Sequence, residues 1–209
     1  MNQLTHQDRK GMKMTKAEYF LNETAKHIRN VQLVMCDMIH ELVCRLRLHD
    51  VSKYDSVEAD LFTEVMPELS KSEYDSPAYR ENLRKIKSAI DHHHEINPHH
   101  PEYYRFYYEC NGCFTRYESE VERCEKCGYT QFEKRPYFEK MSLIDLIEMI
   151  ADWMAASTRN PNGDIINSIE KNQKRFGYSD EMTEILKNTA REFMYNIKIM
   201  EQHDKYVGE

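Results

Sequence analysis

The 209-residue chain carries 29 Lys and Arg against 36 Asp and Glu, a formal charge of −7, with 40% hydrophobic and 31% charged residues. That balance suits one ordinary core with at most a small appendage, and it argues against a long nucleic acid as partner, because polynucleotide binding needs a basic surface to neutralise phosphates. No run approaches the roughly 18 apolar residues of a membrane span, and the polar N-terminus MNQLTHQDRKGMKMTK lacks the apolar centre of a secretory signal. The expected setting is therefore cytoplasmic, away from the membrane.

In chain order, Thr15-Lys16-Ala17-Glu18 has the form of a capping box. Behind it Phe20, Val31, Val34, Met38 and Leu42 recur at helical spacing and predict a long first helix to about Leu46, with His27 on the same inward stripe. A short helix is expected over 56–65. Ser76-Pro77, an N-cap followed by proline at the first helical position, opens a third helix that carries Tyr79, Leu83, Ile86, Ile90 and His93 on one face. Pro98 stops it. Helices are further expected over 141–158 from Ser142, over 164–176 up to Gly177, and from Asp180 to about His203. Strand patterns occur only in YYECNGCFTRY and CGYTQFEKR. The expected fold class is all-α, a helical domain over 1–104 and 137–209 with a small β-rich insert over 105–136.

Within the insert, Cys110-Asn111-Gly112-Cys113 and Cys124-Glu125-Lys126-Cys127 form two knuckles of identical spacing. Each can turn two thiolates toward one tetrahedral ion, so structural zinc is the expected cofactor. So small a ribbon has almost no core, and metal binding would supply its folding free energy. Cys36 and Cys44 lie in the first helix as ordinary small hydrophobes.

The stretch DHHHEINPHHPEYY places five histidines within ten residues. His49-Asp50 follows the first helix, while His27, His93 and Asp152 sit on three other helical segments. Helical bundles build metal sites by converging such side chains. Nitrogen and carboxylate ligands without sulfur suit Mn, Fe, Co, Ni, Zn or Mg. Plainer readings stand beside this one. A lone inward histidine such as His27 is more often a satisfied core residue, and Asp145, Glu148 and Asp152, at i, i+3 and i+7, have the spacing of a solvated acidic face. His92 is expected to face solvent. Tyr103, Tyr104, Phe106, Tyr107 and Tyr108 can stack a nucleobase or pack against the insert.

KHIRNV, HDVSK and IADW together resemble the H…HD…D signature of the HD-domain metal-dependent phosphohydrolases. HDVSKYDSVE, HHHEINPHHPEYY and EMIADWMAAS are similar, in order and spacing, to an uncharacterised family of phage and bacterial proteins in that superfamily. His93-His94-Glu95 with His49, Asp50 and Lys53 also resembles the cyclic-dinucleotide phosphodiesterase branch, although NPHHPEYY replaces that branch's glycine and tyrosine motif. The resemblance implies an HD-type bundle in which His27, His49, Asp50 and Asp152 hold an ion that acidifies water for attack on phosphorus. It further implies that Asp50 bridges or accepts a proton, that Lys53 stabilises phosphoryl charge, and that Glu58 orients water or shuttles protons. His93 and His94 would serve a second ion or a phosphate, with His99 and His100 at the mouth of the site as substrate contacts. The implied activity is hydrolysis of a nucleotide-like phosphate ester, by a nucleotidase or nucleoside triphosphate hydrolase. The alternatives are a phosphodiesterase of cyclic or oligomeric nucleotides and a non-catalytic scaffold that sequesters a nucleotide or a protein. Residue types leave oligomeric state open, a homo-oligomer included.

Overall fold

The structure is a computed structural model that describes residues 14–72, 76–159 and 163–207; most of the polar N-terminal stretch lies outside them. The chain divides into two units, Met1–Arg45 and Leu46–Glu209. The described part of the first unit belongs to helix α1, Lys16–Leu48. The expected capping box opens it: Glu18 donates its N–H to Thr15 Oγ1 at 3.2 Å, and the Glu18 carboxylate accepts from the Thr15 N–H at 2.8 Å. None of α1 is buried. His27, expected to point inward, is exposed.

In the second unit α1 ends at Leu48, and Asp50, two residues on, is left-handed at φ 57°, ψ 16°. Aspartate tolerates that conformation better than most residues. One 3-10 turn, Val51–Tyr54, leads into α2, Ser56–Lys71, which runs six residues past the expected end with Pro67 inside it. The single helix expected after Ser76 is two: α3, Pro77–Lys85, and α4, Lys87–Ile96. Ile86 interrupts them at φ −102°, ψ 18° and is itself 1% exposed. Both halves pack against α2. Periodicity could not reveal this break, because Ile86 and Ile90 continue the phase of Tyr79 and Leu83.

The main core is built by α5, Leu143–Ser157, α6, Ile165–Phe176, and α7, Asp180–Val207. Met149, Ile169 and Ala190 are wholly buried at its centre. Burying a side chain such as Ile169 contributes about 1.5–3 kcal/mol. The helix ends follow the expected chemistry. Ser142 and Asp145 close a reciprocal capping box on α5, and Asp164 Oδ1 accepts from the N–H of Ile166 and Asn167 at the start of α6.

Between α4 and α5 stands a three-stranded antiparallel sheet in the order β2-β1-β3, with β1 Phe106–Cys110, β2 Arg116–Tyr117 and β3 Phe132–Pro136. Its register sets Phe106 opposite Pro136, Tyr108 opposite Lys134 and Cys110 opposite Phe132. Arg135 of β3 pairs with Glu109 and Glu133 within the sheet and lies against Gly177. Gly177 follows α6 at φ 72°, and a Cβ there would stand 2.0 Å from Arg135 Nη1. The architecture is thus mostly helical with one small sheet, as expected. Among the described residues no helix is long and apolar enough to cross a membrane.

Candidate metal centre

At the end of β1 and in the turns that follow it, Cys110, Cys113, Cys124 and Cys127 bring their sulfurs within 4.8 Å of one another. Cys110 and Cys127 Sγ are 3.5 Å apart, and so are Cys113 and Cys124 Sγ. Four thiolates at about 2.3 Å from one tetrahedral ion would stand roughly 3.8 Å apart, so the cluster fits such an ion closely. The Gly112 N–H points to Cys110 Sγ at 3.4 Å and the Tyr117 hydroxyl donates to Cys124 Sγ at 3.3 Å. Both donors suit sulfurs that carry negative charge.

The second centre gathers around Asp50. The left-handed turn at Asp50, the last turn of α4 and the Asn97-Pro98 turn bring one donor atom each from Asp50, His93, His99 and His100 within 4.8 Å of the others. His93 Nε2 lies 3.2 Å and His99 Nε2 3.5 Å from Asp50 Oδ1. Yet Asp50 Oδ1 and the Nε2 atoms of His93, His99 and His100 are all buried without a hydrogen-bond partner. Each such orphan costs about 1–3 kcal/mol. One oxygen and three imidazole nitrogens left bare together are a donor set that a divalent cation satisfies.

The opposite nitrogens are held. His93 Nδ1 reaches Glu58 Oε2 at 3.0 Å and Ser52 Oγ at 3.0 Å, and His99 Nδ1 reaches Glu148 Oε1 at 3.2 Å. A carboxylate behind the ring fixes the tautomer and aims the other nitrogen at the cation. Asn97 locks the turn, donating to the His93 carbonyl at 2.8 Å and to Ser52 Oγ at 3.0 Å.

Two further groups adjoin this one. His49 Nε2 stands 3.5 Å from Asp50 Oδ2 and 3.8 Å from Asp152 Oδ1, and His49 Nδ1 meets Glu148 Oε1 at 3.0 Å. Asp50 therefore turns Oδ1 to the three imidazoles and Oδ2 toward His49. On the other side His94, His100 and Glu102 form a third group, so His100 is shared.

Burial by itself would raise the Asp50 carboxyl, but His93, His99 and the Lys53 ammonium hold it well below the usual carboxylate range. Burial works against a charged His99 too, yet Asp50 and Glu148 push it up to about 9. His100 is driven down to about 2 by burial and by the surrounding histidines, and burial likewise lowers His94.

Of the residues singled out in the sequence, His49, Asp50, His93 and Asp152 come together here. His27 is exposed on α1 and belongs to none of these groups. His99 is 1% exposed and faces Asp50, so it lies within the centre and not at its mouth. Glu58 is completely buried and engages His92 Nδ1 at 2.8 Å besides His93, which makes it a positioning residue with no contact to water. His92, expected in solvent, is thus half-buried and tethered. Lys53 lies against Asp50 Oδ2. Glu148, Ser52 and Asn97 were not singled out. Glu148 was accessible to sequence reasoning, since it sits one helical turn before Asp152 on the acidic strip, and that strip faces the histidines.

No curated protein and no solved structure matches the chain. Residues 16–199, a span that includes α1, the histidine centre and the cysteine ribbon, match the model of a family described as of unknown function, DUF5662. The chain belongs to that family.

Proposed function

We propose that the protein is a metal-dependent phosphohydrolase of HD type acting on a nucleotide-like phosphate ester, with zinc held by Cys110, Cys113, Cys124 and Cys127 as a separate structural centre. The observation that carries the reading is the set of four buried, unpartnered donors on Asp50, His93, His99 and His100. The convergence of His49, Asp50 and Asp152 beside it supports the resemblance to the HD signature. These residues would hold one or two divalent ions drawn from Mn, Fe, Co, Ni, Zn or Mg. Such an ion would lower the pKa of water from about 15.7 towards about 7 and polarise a phosphoryl oxygen.

The chain's own groups do the rest. Asp50, kept ionised, presents one oxygen to each of two donor groups. Lys53, whose side chain is 36% exposed beside Asp50, can swing its ammonium onto a phosphoryl oxygen and offset the charge that develops there. Glu148 orients His49 and His99 together, and Glu58 orients His93.

The test is a panel of mono-, di-, tri- and cyclic nucleotides with Mn, Co or Mg supplied, followed by chromatography. Wild type should release phosphate or open a phosphodiester, and Asp50→Asn should lose at least a hundredfold in rate. Turnover that persists in Asp50→Asn without added metal would refute the reading.

A further inference from the structure

Helix α1 runs for 33 residues and buries none of them. Helices in folded proteins owe most of their stability to the packing of an apolar face, and among the described residues that face of α1 is open. Leu21, Ile28, Met35, Ile39 and Leu46 are each at least 50% exposed, and Val31, Met38 and Val43 flank them, 43–52% exposed. Together they present on the order of 800 Å² of apolar surface, more than monomers ordinarily show in one patch and equal to one partner's share of a standard protein interface.

The pattern of the face selects its occupant. Leu21, Ile28, Met35 and Leu42 recur at every seventh residue, and Ala25, Gln32, Ile39 and Leu46 form a second row of the same period, four residues after the first. Alternating steps of four and three residues make the seam of a coiled coil, which is covered by another helix carrying the same seam. Beyond the seam Glu23 pairs with Lys26 and Glu41 with Arg45, a face of mixed charge and not the basic one that an anionic membrane attracts. We infer that α1 pairs antiparallel with α1 of a second copy, so that the protein is a homodimer. This overlay matches every seam residue of one copy to a seam residue of the other: Leu21 to Leu46, Ala25 to Leu42, Ile28 to Ile39 and Gln32 to Met35. Small Ala25 then faces the larger Leu42, whereas a parallel pair would stack Ala25 on Ala25 and leave a void. Val31 meets Met38 on one flank, and the two Gln32 amides straddle the twofold axis within reach of each other. A single polar position in such a seam fixes the register at some cost in stability. The assignment is independent of the hydrolase reading, because no residue of either metal centre enters it.

The experiment is analytical ultracentrifugation of the full-length, zinc-supplied protein across the micromolar range. Wild type should sediment at twice the chain mass. Ile28→Glu alone and Ile39→Lys alone should each weaken the dimer at least tenfold. An equimolar mixture of the two variants, or both substitutions in one chain, should recover it, because the introduced carboxylate and ammonium face each other across the seam; this recovery separates a lost interface from a lost fold. Asn30→Asp, on the outer side of α1, should change nothing. Orientation is read from a Leu21→Cys, Leu46→Cys double variant, oxidised mildly and mapped by mass spectrometry. Within one helix these positions stand about 37 Å apart, far beyond the roughly 7 Å that a disulfide spans between Cα atoms. Disulfides should therefore join position 21 of one copy to position 46 of the other. A dimer that Ile28→Glu leaves intact, or disulfides joining like positions, would overturn the inference. So would a monomer at every concentration: slow amide exchange in its α1 would assign the face to the same chain, and fast exchange would leave it to a different protein.

Discussion

At Asp50 Oδ1 and the three Nε2 atoms around it, unmet hydrogen-bonding capacity becomes metal affinity, and protons compete for it. His99 is held protonated up to about pH 9 in the absence of metal, whereas His100 is neutral at any working pH. Metal binding at this centre should therefore strengthen by up to about tenfold per pH unit from pH 7 until pH approaches 9, then level off, as read by titration with Mn or Co. The metal-free protein should show the converse dependence. A histidine whose folded pKa is raised from 6.5 to about 9 contributes stability that is complete below pH 6.5 and is lost as pH rises through 9. Thermal melts of chelator-treated protein at pH 6 and pH 9.5 check the sign. Glu58 makes a separate prediction. Glu58→Gln keeps the shape but weakens the grip on His92 and His93, so metal affinity should fall about 10- to 100-fold while the protein stays folded. His99 and His100 were visible as histidines, but their position was not. Their depth depends on how the Asn97-Pro98 turn bends back on Ser52, a tertiary contact that no local pattern encodes.

Among the elements, the legible ones were those with chemical end signals. Thr15, Ser76, Ser142 and Asp164 accept backbone N–H groups at the helix starts, and the two CxxC knuckles bring four sulfurs together as their spacing implied. The division of α3 from α4 was hidden, because it is enforced by packing of both halves on α2 at a buried Ile86. The acidic strip of α5 misled for a related reason: periodicity identifies a polar face without saying whether water or imidazole lies against it. The join between α6 and β3 can be tested directly. Gly177→Ala would put a Cβ into the Arg135 guanidinium and force a left-handed backbone on a residue with a side chain. The left-handed strain alone costs about 1–2 kcal/mol. The variant should melt several degrees lower in a thermal scan.

For the molecule as a whole, the two centres differ in ligand type, so they should separate by chemistry. Elemental analysis of purified protein should find two classes of metal: zinc that vanishes in a Cys110→Ser, Cys113→Ser double variant, and a second ion that survives there but is lost in His93→Ala. Resupplying the second ion to chelated protein should raise the melting temperature, because binding relieves orphaned donors that the folded state otherwise carries. If only cysteine-dependent zinc is found even after supplementation, the hydrolytic mechanism loses its basis. The stripe of α1 predicted an inward His27, whereas the helix buries none of its residues.

The positive φ at residue 50 bears on how any lesion there must be interpreted. Alanine at that corner would impose conformational strain as well as deleting a carboxylate, so an inert Asp50→Ala protein could be blamed on a distorted hinge between α1 and the following turn. Asparagine is the side chain that accepts the same bend and occupies nearly the same volume while forfeiting only the negative charge. A pair of variants, Asn against Ala, thereby separates the geometry of the corner from its reactivity.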